Sequence, residues 1–306
     1  MKSGTLHQGF FADFPWPPIS GCSEKPVWTG HGFRAGDDLI PILAYGAEKA
    51  ASPGWTDELT SFHEKTAGEN HFIDLASRQH ALRQLRKHLR EESPLILEVG
   101  CSSGFLLRSI RKRFPRAFLM GSDYVSVPLL NLAQEMPDIP LMQFDLTKCP
   151  LPDRSVDAVV LLNVLEHIEN DSGAMKQVNR ILKPGGIAII EVPAGPRLYD
   201  VYDKLLRHYR RYSFNQLRQL AENAQLKIIE HSHLGFIMFP GFWLVKQRNR
   251  KLIFQGDSLQ WKMVTKNISE TKNSLLLAVL MRLELGLGKW FSYPFGIRCL
   301  MTCSLD

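Results

Sequence analysis

Between Leu95 and Leu107 an apolar run ends on Glu98, passes through the small-residue turn Gly100-Cys-Ser-Ser-Gly104 and resumes as Phe105-Leu106-Leu107 before Arg108. Such a run reads as a buried strand, a tight turn and a helix. The turn brings backbone N–H groups close to a ligand, and the helix N-terminus behind it favours negative charge, a geometry for phosphate or carboxylate. Small-residue turns of this kind are common in α/β folds, so the feature restricts the fold more than the function.

Helical and apolar patterns alternate on both sides of it. From Asp74, the residues Leu75, Ala76, His80, Leu82, Leu85 and Leu89 recur at helical spacing, with Arg78, Arg83, Arg86, Lys87 and Arg90 mostly opposite. This predicts an amphipathic helix leading into the first strand. Beyond the turn the pattern predicts helix (104–113), strand (117–123), helix (126–136), strand (141–144), strand (156–163), helix (172–182) stopped at Lys183-Pro-Gly-Gly186, and strand (187–192). A helix (214–223), a strand from Leu226, an insertion at about 235–294 and a last apolar stretch, Ile297–Cys303, follow. Apolar strands separated by helices mean a parallel sheet covered on both faces, with ligands at the carboxyl ends of its strands.

Residues 1–66 mix aromatics with proline and glycine, as in Gly9-Phe-Phe-Ala-Asp-Phe-Pro-Trp-Pro-Pro18. They read as an irregular N-terminal cover with one helix around Leu39 to Ala51. The five cysteines are odd in number and form no C-x-x-C pair. Neither a disulfide framework nor a zinc knuckle is expected, no metal ligands are assigned, and a reducing compartment, the cytoplasm, fits best. Met1-Lys-Ser-Gly-Thr-Leu-His7 holds no apolar signal region, and no apolar run reaches the roughly 18 to 20 residues a membrane helix needs. The net charge of +6 permits an anionic partner without identifying one.

Polar residues close successive strands: Glu98 the first, Asp123 the second, Asp145 the third and Asn163-Val-Leu-Glu-His167 the fourth. A carboxylate at the second position can accept both hydroxyls of a ribose. With Leu97-Glu-Val-Gly-Cys-Ser-Ser-Gly104, Gly121-Ser-Asp123, Phe144-Asp-Leu146, Leu151-Pro-Asp-Arg-Ser-Val-Asp-Ala-Val159 and Arg180-Ile-Leu-Lys-Pro-Gly-Gly186, the chain resembles a class I S-adenosylmethionine-dependent methyltransferase of the methyltransferase-11/23-like kind. The resemblance spans about residues 95 to 192. It implies a Rossmann-like three-layer α/β/α sandwich over 67–306, with a mostly parallel seven-stranded sheet and an antiparallel last strand.

It also implies a cofactor, S-adenosyl-L-methionine, and roles for residues. The backbone of Gly100, Cys101, Ser102 and Gly104 would hold the methionine end and Glu98 its ammonium. Asp123 would take the ribose, Tyr124 would pack on the adenine, Asp145 with the Leu146 backbone would read the adenine edge, and Asn163 would lie beneath the sulfonium. Ser102 stands where the family has the middle glycine of Gly-x-Gly-x-Gly, which is tolerable if the local backbone is not left-handed. A nicotinamide dehydrogenase would want Gly-x-Gly-x-x-Gly, which is absent, and gives no reason for 163–167 or 180–186.

The segment Leu198-Tyr-Asp-Val-Tyr-Asp-Lys-Leu-Leu-Arg-His-Tyr-Arg-Arg-Tyr-Ser213 resembles the His-x-Arg-Arg-Tyr-Ser element of a methyltransferase subgroup. His208 is then a candidate base toward a hydroxyl acceptor; the alternative is a structural cluster of His208, Arg210 and Arg211. His71, Phe72 and Arg78 recur in the helix expected to close over the cofactor. The acceptor is expected to be a small molecule, glycan or lipid-linked compound methylated at oxygen, with a non-catalytic cofactor-binding scaffold or a nucleic-acid methyltransferase as alternatives. No Asp/Asn-Pro-Pro-Tyr/Phe follows the fourth strand, which argues against nucleic acid. In 235–251, the apolar run Phe236 to Val245 precedes Lys246, Arg248, Arg250 and Lys251. That composition suits either a lid folded on the domain, a dimer interface, or a peripheral contact with the inner membrane face. Oligomeric state is left open.

Overall fold

The computed structural model describes residues 9–19, 24–46, 69–250 and 274–306. The end of the helix expected over 39–51, Cys22, Lys251 and the middle of the 235–294 insertion lie outside the described residues.

Among the described residues, one sheet runs in the order β10 (Lys227–Leu234), β11 (Arg298–Ser304), β9 (Leu182–Pro193), β8 (Val156–Leu162), β5 (Leu95–Val99), β6 (Phe118–Asp123), β7 (Leu141–Gln143) and β4 (Leu43–Ala44). β11 is antiparallel to both neighbours, and every other pairing is parallel. Alternate strand residues enter opposite layers. Leu95, Leu97, Val99, Val159, Leu161, Ile190 and Val192 pack with α4 (Asp171–Ile181) and α6 (Phe214–Asn223). Ile96, Ala158, Val160, Ile187 and Ile189 pack with α1 (Phe72–His88), α2 (Phe105–Arg113) and α3 (Ser126–Glu135). With both faces covered, apolar residues run almost continuously along the strands, the sequence signature of a parallel sheet. This is a Rossmann-like α/β/α sandwich with an antiparallel final strand.

Three features depart from expectation. A seven-stranded sheet gains an eighth strand, β4, paired as Leu43↔Met142 and Ala44↔Gln143. It covers the open edge of the three-residue β7, an edge that would otherwise invite other chains. No helix occupies 39–46; instead Asp38–Ile40 is β3 of a small antiparallel sheet with β1 (Val27–Trp28) and β2 (Phe33–Ala35). Pro41 explains this, because it drives Ile40 into extended backbone and cannot continue a helix. The preceding aromatics Phe11, Trp16, Trp28 and Phe33 are buried together, Trp16 donating its indole N–H to the Phe11 carbonyl at 2.8 Å.

The buried face of α1 is also more polar than its periodicity suggested. Leu75 and Leu82 are half-buried, whereas Ser77, Arg78 and Gln84 are buried. Their partners lie outside the helix: Ser77 Oγ donates to Glu191 Oε1 at 2.8 Å, and Gln84 Nε2 to Glu230 Oε1 at 2.8 Å. A buried polar residue with a partner on another element costs little, so Arg78 and these polar residues join the expected face, on which Ala76, His80 and Leu85 are buried while Arg86, Lys87 and Arg90 stay exposed.

Candidate active site

Glu98 and Val99 end β5 opposite Gly121 and Ser122 of β6, so the turn after β5 sits beside Asp123. Gly100 and Gly104 have φ of 75° and 71°, in the left-handed region that glycine enters without strain. A Cβ on Gly100 would come within 2.6 Å of Val164 Cγ2, so the turn also touches the loop after β8. The N–H groups of Gly100 and Cys101 both donate to Ser122 O (2.8 and 2.9 Å), that of Ser102 to Asp123 Oδ2 (2.9 Å) and that of Gly104 to Cys101 O (2.7 Å). Four donors expected to face an anion are therefore spent within the fold. The turn offers close approach and carbonyl oxygens instead, which suits an ammonium better than a phosphate. The Cys101 side chain is buried in the core, and burial drives its thiol pKa well up, so only its backbone is available to a ligand.

Ser102 has φ of 45°, so the condition under which serine was tolerable is not met. Left-handed backbone costs a non-glycine residue about 1–2 kcal/mol, and the charge-assisted bond to Asp123 holds it there. Ser102→Gly would remove that strain but add the chain entropy of glycine, about 0.5–1 kcal/mol. The variant is expected to be more stable by up to about 1 kcal/mol with cofactor affinity kept, as thermal unfolding and calorimetry would read.

The strand-end carboxylates differ in state. Glu98 is buried, and burial pushes its pKa well above the usual range; its Oε2 has no hydrogen-bond partner. Arg78, itself 9% exposed, is close enough for its charge to oppose that rise, and its guanidinium lies 5.7 Å from the Phe105 ring centre. Asp123 accepts from Ser102 through Oδ2 and from Val125 N–H through Oδ1 at 3.1 Å. Tyr124, next to it, is 42% exposed. Asp145 Oδ1 accepts from Thr147 N–H at 2.8 Å, capping a single turn that buries Leu146. Asn163 turns the chain at the end of β8 with φ of 56°, a conformation asparagine accepts readily.

Asn163 leads to residues that sequence reasoning missed. Its Nδ2 donates to Glu191 Oε1 at 3.2 Å; the same oxygen accepts from Ser77 and from Arg298, whose other nitrogen reaches Asp74 at 2.7 Å. Glu191 stood in a continuous apolar strand, and only its being a lone acid there could have drawn notice. Just past Asn163, Glu166 is 1% exposed, and burial raises its pKa to about 8.

His208, just past the short α5 (Val201–Leu205) that carries Asp203, is 9% exposed, its Nδ1 bonded to Asp203 Oδ1 at 2.9 Å. Arg211 donates to the same oxygen at 2.8 Å, and Lys246 bridges Asp203 Oδ2 (2.9 Å) and Asp200 Oδ1 (2.7 Å). Burial pushes Asp203 upward, but Lys246, His208 and Arg211 together hold it well below the usual carboxylate range. Burial lowers the His208 pKa in spite of Asp203. Arg210 stays outside this cluster, on Asp171 and the Glu169 carbonyl, each at 2.7 Å.

Lys246 is thereby removed from the basic rim expected at a membrane surface, because its side chain is only 5% exposed between two carboxylates. It is carried by α7 (Phe239–Arg250), which leaves Trp243, Leu244 and Val245 exposed. Phe236 and Phe239 pack on Phe295, and Lys246 binds Asp200 and Asp203, so the described start of the insertion is held against the domain. No helix among the described residues is long and apolar enough to cross a membrane.

A family model described as a methyltransferase domain matches residues 97–190. Over 138 residues the chain is 28% identical to a Mycolicibacterium smegmatis protein named "probable S-adenosylmethionine-dependent methyltransferase", covering 44% of this chain and 52% of that one. It is 32% identical over 146 residues to demethylmenaquinone methyltransferase of Chlorobaculum tepidum, 44% of this chain and 60% of that one. The chain thus spans little more than half the length of these relatives. A Haemonchus contortus phosphoethanolamine N-methyltransferase 2 solved with S-adenosylhomocysteine superposes with a TM-score of 0.51 at 16% identity, covering 81% of this chain and 57% of that one, a likeness of fold. Residues 97–190 thus match a methyltransferase-domain family model, and the chain around them takes the Rossmann-like α/β fold of the solved structure it superposes on.

Proposed function

We propose that this chain transfers the methyl group of S-adenosylmethionine to a weakly acidic oxygen of a small-molecule, glycan or lipid-linked acceptor. The observation that carries the reading is the convergence of Glu98, Asp123, Asp145 and Asn163 at the carboxyl ends of four neighbouring parallel strands, beside one left-handed turn. When bound, the cofactor supplies a methyl on a positively charged sulfur, open to in-line attack. The unpaired Glu98 Oε2 would take its ammonium and Arg78 its carboxylate. Asp123 would accept from the ribose diol, the exposed Tyr124 ring would lie on the adenine, and Asp145 with the Leu146 N–H would read the adenine edge. Asn163, fixed by Glu191, would line the floor below the sulfur.

On the acceptor side, Asp203 fixes the His208 ring through Nδ1, leaving Nε2 to take a proton. Its lowered pKa keeps the ring neutral and able to accept. An acceptor with an apolar part is favoured by the exposed side of α7 and by α8 (Leu275–Leu287), where Leu275, Leu276, Leu283 and the following Trp290 face outward.

Incubation of the full chain with methyl-labelled S-adenosylmethionine and a cell extract, fractionated into polar metabolites, lipids and nucleic acid, tests the reading. Label is expected in one of the first two fractions. Binding without transfer to any fraction would make the protein a scaffold, and label confined to nucleic acid would replace the acceptor class. His208→Ala is expected to lower turnover about a hundredfold with cofactor affinity kept; equal loss of both would leave His208 a purely structural residue.

A further inference from the structure

Glu166 stands apart from the other buried acids. Glu98, Glu191 and Asp200 each leave one carboxylate oxygen without a hydrogen bond, but Glu166, 1% exposed, leaves both. It lies in the single turn Leu165–His167 after β8, and one of its oxygens, one His167 ring nitrogen and one His208 ring nitrogen all lie within 4.8 Å of one another. The two imidazole rings meet edge to face, centres 4.7 Å apart. The segments carrying them are tied together: Tyr209 N–H donates to the Glu166 carbonyl at 2.8 Å, and the Tyr212 hydroxyl to the Leu165 carbonyl at 3.2 Å.

We propose that Glu166, His167 and His208 bind a divalent transition-metal ion. Two imidazoles and one carboxylate form a donor set for zinc, manganese, iron or cobalt, whereas calcium or magnesium would ask for more oxygens. His208 already has the outer partner that metal-bound histidines carry: its Nδ1 is held by the buried Asp203 at 2.9 Å, which leaves Nε2 as the ligand atom. Ligand bonds of about 2.0–2.1 Å require the three atoms, now within 4.8 Å of one another, to close to roughly 3.3–3.4 Å.

Three protein ligands leave a fourth position open. On the methyl-transfer reading, an acceptor oxygen would take that position and lose its proton more readily. His208 Nε2 cannot hold a metal and take a proton at once, so a filled site makes His208 a ligand and not the base.

The full chain, with any affinity tag removed and metal stripped by dialysis against chelator, would be titrated with Zn²⁺ alone by calorimetry, and with Co²⁺ while visible absorption reports coordination. One equivalent of each is expected, Co²⁺ giving the intense bands of a four-coordinate ion. Glu166→Gln keeps the shape of the side chain, and His167→Ala serves as a second variant should the first fail to fold. Each removes a ligand outright and should weaken Zn²⁺ binding by about a hundredfold, the upper end for loss of an outer partner. No saturable binding by the folded wild-type protein, or equal affinity in either folded variant, would overturn the site. S-adenosylmethionine binding, measured on the same preparations, keeps that result separate from the methyl-transfer reading.

Discussion

Asp123→Ala should weaken S-adenosylmethionine binding by about 2–4 kcal/mol, because a ribose diol would lose two charge-assisted hydrogen bonds. The structure gives the residue a second task that adds to this. Its Oδ2 holds the N–H of the strained Ser102 at 2.9 Å and its Oδ1 that of Val125 at 3.1 Å. Removing the carboxylate therefore also frees the turn that the methionine end of the cofactor would lie against. Asp123→Asn separates the two contributions, since an amide oxygen can keep one of those backbone bonds while the charge is lost. Calorimetry should rank affinity as wild type, then Asp123→Asn, then Asp123→Ala. A folded Asp123→Ala protein that binds the cofactor as tightly as wild type would end the ribose assignment.

The sheet was legible because its strands are buried on both faces, so that Leu95–Val99, Val156–Leu162 and Ile187–Val192 stand out as apolar runs ended by glycine, asparagine or proline. The acids at the strand ends were legible for the same reason: a polar residue closing an apolar run marks where the chain leaves the core. Polar residues buried within elements were hidden. Ser77, Gln84 and Glu191 have nothing in their local sequence to announce partners on other elements, so the polar part of the buried face of α1 went unseen while its apolar part, Ala76 and Leu85, was read. The turn at Gly100 is tight, as its glycines predict, but it is not the set of outward donors expected. Its N–H groups are taken by Ser122 and Asp123, residues of the neighbouring strand whose register no periodicity specifies. Lys246 misled in a similar way: a lysine in a run of four cations reads as solvated, and only the two acids of Tyr199-Asp-Val-Tyr-Asp203 brought beneath it make it a buried ion pair.

That pair sets the second large effect, a loss of about 3–5 kcal/mol of stability in Lys246→Ala. The ammonium touches Asp200 at 2.7 Å and Asp203 at 2.9 Å, both carboxylates wholly buried, and lies 5.3 Å from the Tyr202 ring centre and 5.4 Å from that of Phe242. Without it, among the described residues, Arg211 is the one remaining permanent cation bonded to Asp203, and Asp200 is left beside a like charge with no bonded cation. A buried charge stripped of its partner costs far more than the pair was worth, which is why the change should exceed that of an exposed ion pair several-fold. Arg248→Ala, on an exposed position of the same helix, should change stability by less than about 0.5 kcal/mol. Urea unfolding of the two variants reads the contrast directly, and a Lys246→Ala loss below about 1 kcal/mol would mean that α7 does not dock as described. Because Asp203 also fixes the His208 ring, the loss of Lys246 should reach His208 as well. Lys246→Ala is expected to lower methyl transfer more than cofactor affinity, making the insertion a support for the acceptor side of the site.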